Sequence, residues 1–200
     1  MSDSRLMFRE EDHTYWLDGV RVPNVTSILS PLVDISHIPA DTLETARQRG
    51  VAVHKLVELD AKGDLDEDSL PEWMQPVLAQ WRKFVAETQF RLIESEFRVF
   101  HPTYRFAGTL DLLGYVFDET AFVDIKRSFA GGAAIGIQLA AYQEAYVAQE
   151  KVGKRSKRYA LRLNENGPYR LEPFTSPNDW NTFLALLTVQ RWREANMKGA

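Results

Sequence analysis

The period of the apolar positions changes several times along the chain, and each change marks an element. Tyr15-Trp16-Leu17 and Val20-Arg21-Val22 are short β-prone runs about Asp18-Gly19, a dipeptide suited to a two-residue hairpin turn, so a small N-terminal hairpin is expected within about residues 10–30. Leu43, Ala46, Gly50, Val53, Val57 and Ala61 then recur at intervals of three and four, which predicts a helix reaching about Lys62. Asp41 and Glu44 have the spacing of a capping box at its start. A second helix is predicted over Pro71 to Thr88. Phe90 to Phe100, Tyr104 to Phe117 and Ala121 to Ile125 are rich in β-branched and aromatic residues and are separated by His101-Pro102 and Asp118-Glu119. Three consecutive strands follow. After the glycine-rich Phe129-Ala130-Gly131-Gly132 come a helix to about Glu150, strands near Arg158 to Leu163 and Tyr169 to Leu171, and a last helix over about 176–195 opened by Ser176-Pro177 as N-cap and first-turn proline.

Composition narrows what such a mixed chain can be. With 200 residues, 44% of them hydrophobic, it is expected to fold as a single domain over residues 1–200, its core spanning about 40–172. A net charge of −4 from 24 basic and 28 acidic residues excludes a uniformly basic nucleic-acid coat, so any such contact must be a local patch. The charges do segregate: residues 58–72 hold seven acids against Lys62, whereas 151–162 hold six bases and no acid. The chain has no cysteine, which excludes disulfides, zinc fingers, thiolate catalysis and iron–sulfur clusters. It has neither an apolar run of membrane-spanning length nor an apolar leader, and the expectation is a cytoplasmic protein with no membrane contact.

Chemistry enters where the strand pattern breaks. Gly108-Thr109-Leu110-Asp111 and Asp124-Ile125-Lys126 place charges in otherwise apolar strands. Side chains alternate along a strand, so Asp124 and Lys126 share one face while Val123 and Ile125 share the other. Pairing of the two strands through a turn centred near 118 or 119 would bring Asp111 to the Asp124 and Lys126 rows. Two carboxylates that close stay ionised only if something positive neutralises them, and oxygen ligands suit Mg²⁺ or Mn²⁺. The competing reading is an edge aspartate with a surface ion pair. Gln138 and Tyr142, four apart, share a helix face, and His54 lies beside the inward stripe of its own helix.

In order, His54, Gly108-Thr109-Leu110-Asp111, Asp124-Ile125-Lys126 and Gln138-Leu139-Ala140-Ala141-Tyr142 resemble the motifs of the PD-(D/E)XK nuclease superfamily, in its RecB-like exonuclease branch. Asp12-His13-Thr14-Tyr15 followed by Val22-Pro23-Asn24-Val25-Thr26-Ser27 further resembles phage and prophage members. The resemblance covers about residues 10–150. It implies an α/β (α+β) fold with a restriction-endonuclease-like core, a central mixed β-sheet flanked by helices. It also implies Mg²⁺ or Mn²⁺ held by Asp111, Asp124 and the Ile125 carbonyl, with His54 as a further ligand, Lys126 as the catalytic lysine beside catalytic Asp111 and Asp124, and Gln138 and Tyr142 contacting DNA or supporting the ligands. Glu96, on the preceding strand, is a further acid of the site by position. Many members carry threonine after the lysine; here Arg127 and Ser128 stand there and are candidates for the phosphate contact. Lacking cysteine, the chain goes with the cluster-free members.

Lys154, Arg155 and Lys157, in the basic run just beyond the motif helix, are candidate phosphate contacts, and a solvated turn is the alternative. His13, His37 and His101 fit no ligand spacing with one another and read as ordinary loop or core residues. No Gly-x-Ser-x-Gly elbow and no phosphate-binding Gly-x-x-x-x-Gly-Lys loop is present, which leaves hydrolysis by water. The expectation is a metal-dependent deoxyribonuclease, an exonuclease of phage or prophage recombination or repair in a bacterial host, acting on DNA with a single-strand-annealing or single-strand-binding protein. A structure-specific endonuclease and a non-cutting nucleic-acid-binding subunit are the alternatives, and oligomeric state stays open.

Overall fold

The structure, a computed structural model, describes residues 5–34, 36–127, 132–149 and 156–197. The N-terminal hairpin is one strand larger than its turn signal announced. Leu6–Arg9 (β1) joins Thr14–Leu17 (β2) and Val20–Val22 (β3) in an antiparallel sheet, with Leu17 opposite Val20 across Asp18-Gly19. One face packs Tyr15, Leu17 and Val22 on Phe100 and Ala107 of the main sheet. The next segment holds a helix that periodicity did not predict, Val25–Leu29 (α1), capped by Asn24, whose Oδ1 accepts the Ser27 N–H at 2.7 Å.

The long helix Ala40–Lys62 (α2) ends as expected, with Gly63 left-handed at φ 76°. Its start differs from the capping-box reading. Pro39 is the N-cap, no side chain caps the helix, and Glu44 instead binds Arg47 and Gln48. A preceding proline already sets the helical entry, and a guanidinium one turn away is the stronger partner for the glutamate. Gln75–Thr88 (α3) packs on α2 through buried Val77, Leu78, Trp81 and Phe84, while Trp81 Nε1 donates to Asp60 Oδ2 at 2.8 Å. That bond fixes the height of α2, the helix that carries His54.

Arg91–His101 (β4), Phe106–Val116 (β5) and Glu119–Lys126 (β6) form an antiparallel meander. Ala133–Ala148 (α4) then crosses back so that Lys157–Arg162 (β7) runs parallel to β6, and Arg170–Pro173 (β8) closes the mixed sheet in the order β4-β5-β6-β7-β8. The last helix, Asp179–Asn196 (α5), begins two residues later than Pro177: Asn178 is its N-cap, and Ser176 Oγ accepts the Asn178 N–H at 3.3 Å. Here Asp179 pairs with Arg158 at 2.9 Å, tying the helix start to β7.

The layers follow from the strand faces. Leu112, Val123, Ile125 and Leu161 meet α2 and α3 on one side, whereas Phe106, Leu110, Leu113 and Phe122 meet α1, α4 and α5 on the other. The result is a central mixed sheet flanked by helices, as the sequence resemblance implied. Among the described residues no helix is long and apolar enough to cross a membrane.

Candidate metal centre and its clefts

The β5–β6 turn falls at Phe117 and Asp118, since Val116 pairs with Glu119. Counting down that register from Leu112 and Val123, Asp111 comes opposite Asp124. There the ladder changes character: Asp111 Oδ2 accepts the N–H of Ile125 at 2.7 Å, a carboxylate standing in for a backbone acceptor.

On the other side of β5 the pleat itself is interrupted. Phe106, Leu110 and Leu113 all belong to one cluster, although the step from 110 to 113 is odd and strict alternation would put Leu113 on the opposite face. The ladder to β4 has rungs at Ser95 with Leu112 and Phe97 with Leu110, and Glu96 and Asp111 fall between them. Glu96 takes φ 48°, a left-handed conformation costing a non-glycine residue about 1–3 kcal/mol, the kind of strain that clusters at functional sites. Both acids lie at this break, midway along their strands.

His54 reaches them from α2. Its Nε2 lies 3.1 Å from the Ile125 carbonyl oxygen, and its Nδ1 lies 3.5 Å from Glu96 Oε1 and 3.6 Å from Asp111 Oδ1. Ligand atoms of His54, Glu96 and Asp111 all sit within 4.8 Å of one another, a spacing that one ion can bridge. Burial alone would lower the His54 pKa, but the charges of Asp111, Glu96 and Asp124, with the Glu96 hydrogen bond, push it up to about 9. Without a metal, an imidazolium thus supplies the positive charge that these acids require.

Asp124 stands outside that trio but next to it, on the α4 face of β6. It is 1% exposed, and Lys126 Nζ lies 2.7 Å from its Oδ2. Among the described residues no donor other than this ammonium reaches either Asp124 oxygen. Burial raises the Asp124 pKa, with Lys126 opposing and Asp111 adding to the rise; Lys126 is itself raised, because Asp124 and Asp111 outweigh its own desolvation. A buried carboxylate met by one ammonium alone keeps acceptor capacity for a further cation. The residues that could hold a cation are His54, Glu96 and Asp111, with Asp124 and the Ile125 carbonyl adjoining them. Mg²⁺ and Mn²⁺ favour such a set.

Tyr142 and Gln138 lie behind the acids, Gln138 Nε2 donating to Tyr142 Oη at 3.0 Å. Burial, then the Asp124 and Asp111 charges, raise the Tyr142 hydroxyl well above its usual range. The N-terminal sheet braces the same strand, Tyr15 Oη and Thr109 Oγ1 sharing a hydrogen bond of 2.7 Å two residues before Asp111.

Two clefts of about 440 and 470 Å³ meet at Gly50 and His54. One runs past Lys126 and Arg127 to Asn164 and Glu165; the other passes Glu96 and reaches His13, for which the sequence offers no ligand spacing. Arg127 is not a free phosphate ligand, because Glu165 binds it at 2.7 Å and binds Arg49 at 2.7 Å as well. Arg49 and Glu165 carry no local motif, and only the tertiary fold brings them here. Lys157 is not brought to the site: it pairs with Ala121 at the opposite end of β6 from Lys126, and its Nζ lies 3.4 Å from Glu119. Arg158, from the same basic run, is held by Gly136, Ser176 and Asp179. Ser128, Lys154 and Arg155 lie outside the described residues.

No family model matches the chain, and no curated protein matches it. Among solved structures it is similar to one described as the crystal structure of LHK-Exo in complex with dAMP, with 14% identity and a TM-score of 0.34 over 90% of this chain and 95% of that one.

Proposed function

We propose that this chain is a metal-dependent DNA nuclease, an exonuclease of phage or prophage recombination or repair. The observation that carries the reading is the buried Asp124 carboxylate, met among the described residues by Lys126 alone, beside Asp111, Glu96 and His54 at an interrupted pleat. The order of the sequence motifs supports it. Asp111, Asp124 and the Ile125 carbonyl would hold the cation, with His54 and Glu96 completing the set. A divalent cation there would polarise a phosphoryl oxygen and lower the pKa of a water ligand. Lys126, on the same face as Asp124 and held as an ammonium, orients the attacking water and offsets charge on the pentavalent phosphorane. Arg127 and Arg49 present the remaining charge of the Glu165 network to the strand in the cleft. Gln138 and Tyr142 support the face behind the acids.

End-labelled linear and closed circular DNA, incubated with the protein and Mg²⁺ or Mn²⁺, test this reading. Release of nucleotides from linear DNA with the circle left intact is expected. Nicking of the circle would favour an endonuclease, and binding with neither product would favour a non-cutting subunit.

His54→Ala separates the imidazole from the carboxylates. The variant is expected to bind Mn²⁺ about 10–100-fold more weakly, a loss comparable to that caused by removing an outer-shell partner, while turnover at saturating Mn²⁺ stays near wild type. A Mn²⁺ titration of activity reads both quantities, and an unchanged midpoint would return His54 to a packing role.

A further inference from the structure

A third recess adjoins the acid cluster on the α4 side of the sheet. It has a volume of about 310 Å³ and lies between α1 and the first turns of α4. Leu29, Val33 and Ile135 form its walls, Thr26, Ser30 and Gln138 contribute hydroxyl and amide groups, and Lys126 bounds it on the side of the acids. We propose that this recess receives one unpaired nucleobase of the strand whose phosphate lies at Lys126. The inference rests on the nuclease reading and deepens it by naming the substrate: a strand that is single-stranded, or frayed, at the point of attack.

Three observations carry it. The first is continuity, because Lys126 bounds both this recess and the cleft along α2, so a chain threaded past the acids has the recess within reach of its next substituent. The second is chemistry. Among the described residues Lys126 is the only charged one in the lining, which suits neither a phosphate nor a peptide of many charges, whereas apolar walls with a few hydrogen-bonding groups suit a flat heteroaromatic ring with a polar edge. The third is access. Thr26 and Ser30 are exposed and Val33 is 38% exposed, so a base can enter from solvent without displacing a packed side chain. A base stacked and paired within a duplex cannot enter, and extruding it costs a few kcal/mol. Unpaired ends are therefore the preferred substrate.

The test uses the full chain, a chelator to prevent cutting, and a short fluorescein-labelled single-stranded oligonucleotide carrying one abasic residue at each position in turn. Anisotropy is expected to show one position at which losing the base weakens binding about tenfold, with little effect elsewhere. Ser30→Phe fills the recess from an exposed rim position. That variant is expected to bind the intact oligonucleotide about as weakly as wild type binds the abasic one, and to show no further penalty at that position. An equal penalty in both proteins, which would place the base elsewhere, no position-dependent penalty, or no binding overturns the proposal. Hydrolysis of DNA without a position-specific penalty overturns the recess alone. A position-specific penalty in a protein that never cuts DNA supports the recess and overturns the nuclease reading.

Discussion

Asp124→Asn is expected to lose phosphodiester hydrolysis by at least about a thousandfold, equivalent to about 4 kcal/mol of transition-state stabilisation, while melting no lower than wild type in the absence of metal. The two halves of that expectation share one cause. A folded-state pKa raised by burial means that the ionised carboxylate is disfavoured by the fold at neutral pH, so removing its charge relieves desolvation and the repulsion from Asp111. Lys126 loses its partner, but its side chain is 30% exposed and can be hydrated where it lies. The native aspartate is thus a stability cost retained for chemistry, as expected of a functional site. Rate and melting temperature measured on the same preparation check both halves. Wild-type turnover in the folded variant, or a large fall in melting temperature with activity retained, would show that Asp124 serves packing.

Gly108→Ala is expected to destabilise the protein by about 2 kcal/mol, a fall in Tm of about 4–8 °C for a chain of this size. A Cβ at this position would lie 2.5 Å from Tyr142 Cε1 and 3.3 Å from Val25 Cγ2. Neither neighbour has room, since Tyr142 is 3% exposed and Val25 is fully buried. Replacing glycine by alanine gains about 0.4–1 kcal/mol from the unfolded state, so the clash decides the sign. Because the displaced ring is the one hydrogen-bonded to Gln138 behind the acids, cleavage should fall along with stability even below the melting transition. A variant with unchanged Tm would show that Tyr142 has a second rotamer available.

Some of this site is legible in the sequence and some is not, and the division has physical reasons. The two-residue period of a strand already puts Asp124 and Lys126 on one face, and an antiparallel partner through Phe117-Asp118 brings Asp111 opposite Asp124. The break of the pleat at Glu96 has no such signature. A positive φ at a glutamate is imposed by the strands around it, so the meeting of Glu96 with His54 could be guessed only from position. The cap at Asn24 is a local signal that was present, Asn-Val-Thr-Ser, yet α1 is five residues long and shows no periodicity to detect. Lys157 looked close to the motif helix along the chain, but the parallel register of β6 and β7 sets it at the far end of the sheet. Glu165, which pairs with both Arg49 and Arg127, sits in a polar loop whose role depends entirely on where β7 ends.

Whether the acids at the interrupted pleat form a divalent-cation site is read by Mn²⁺ binding to the metal-free protein, followed by electron paramagnetic resonance in wild type beside Asp124→Asn. Saturable binding to wild type is expected, with an affinity at least about tenfold lower in the variant, since one carboxylate near the ion is gone. Coincident isotherms, or a wild-type protein that leaves Mn²⁺ free in solution, would contradict such a site.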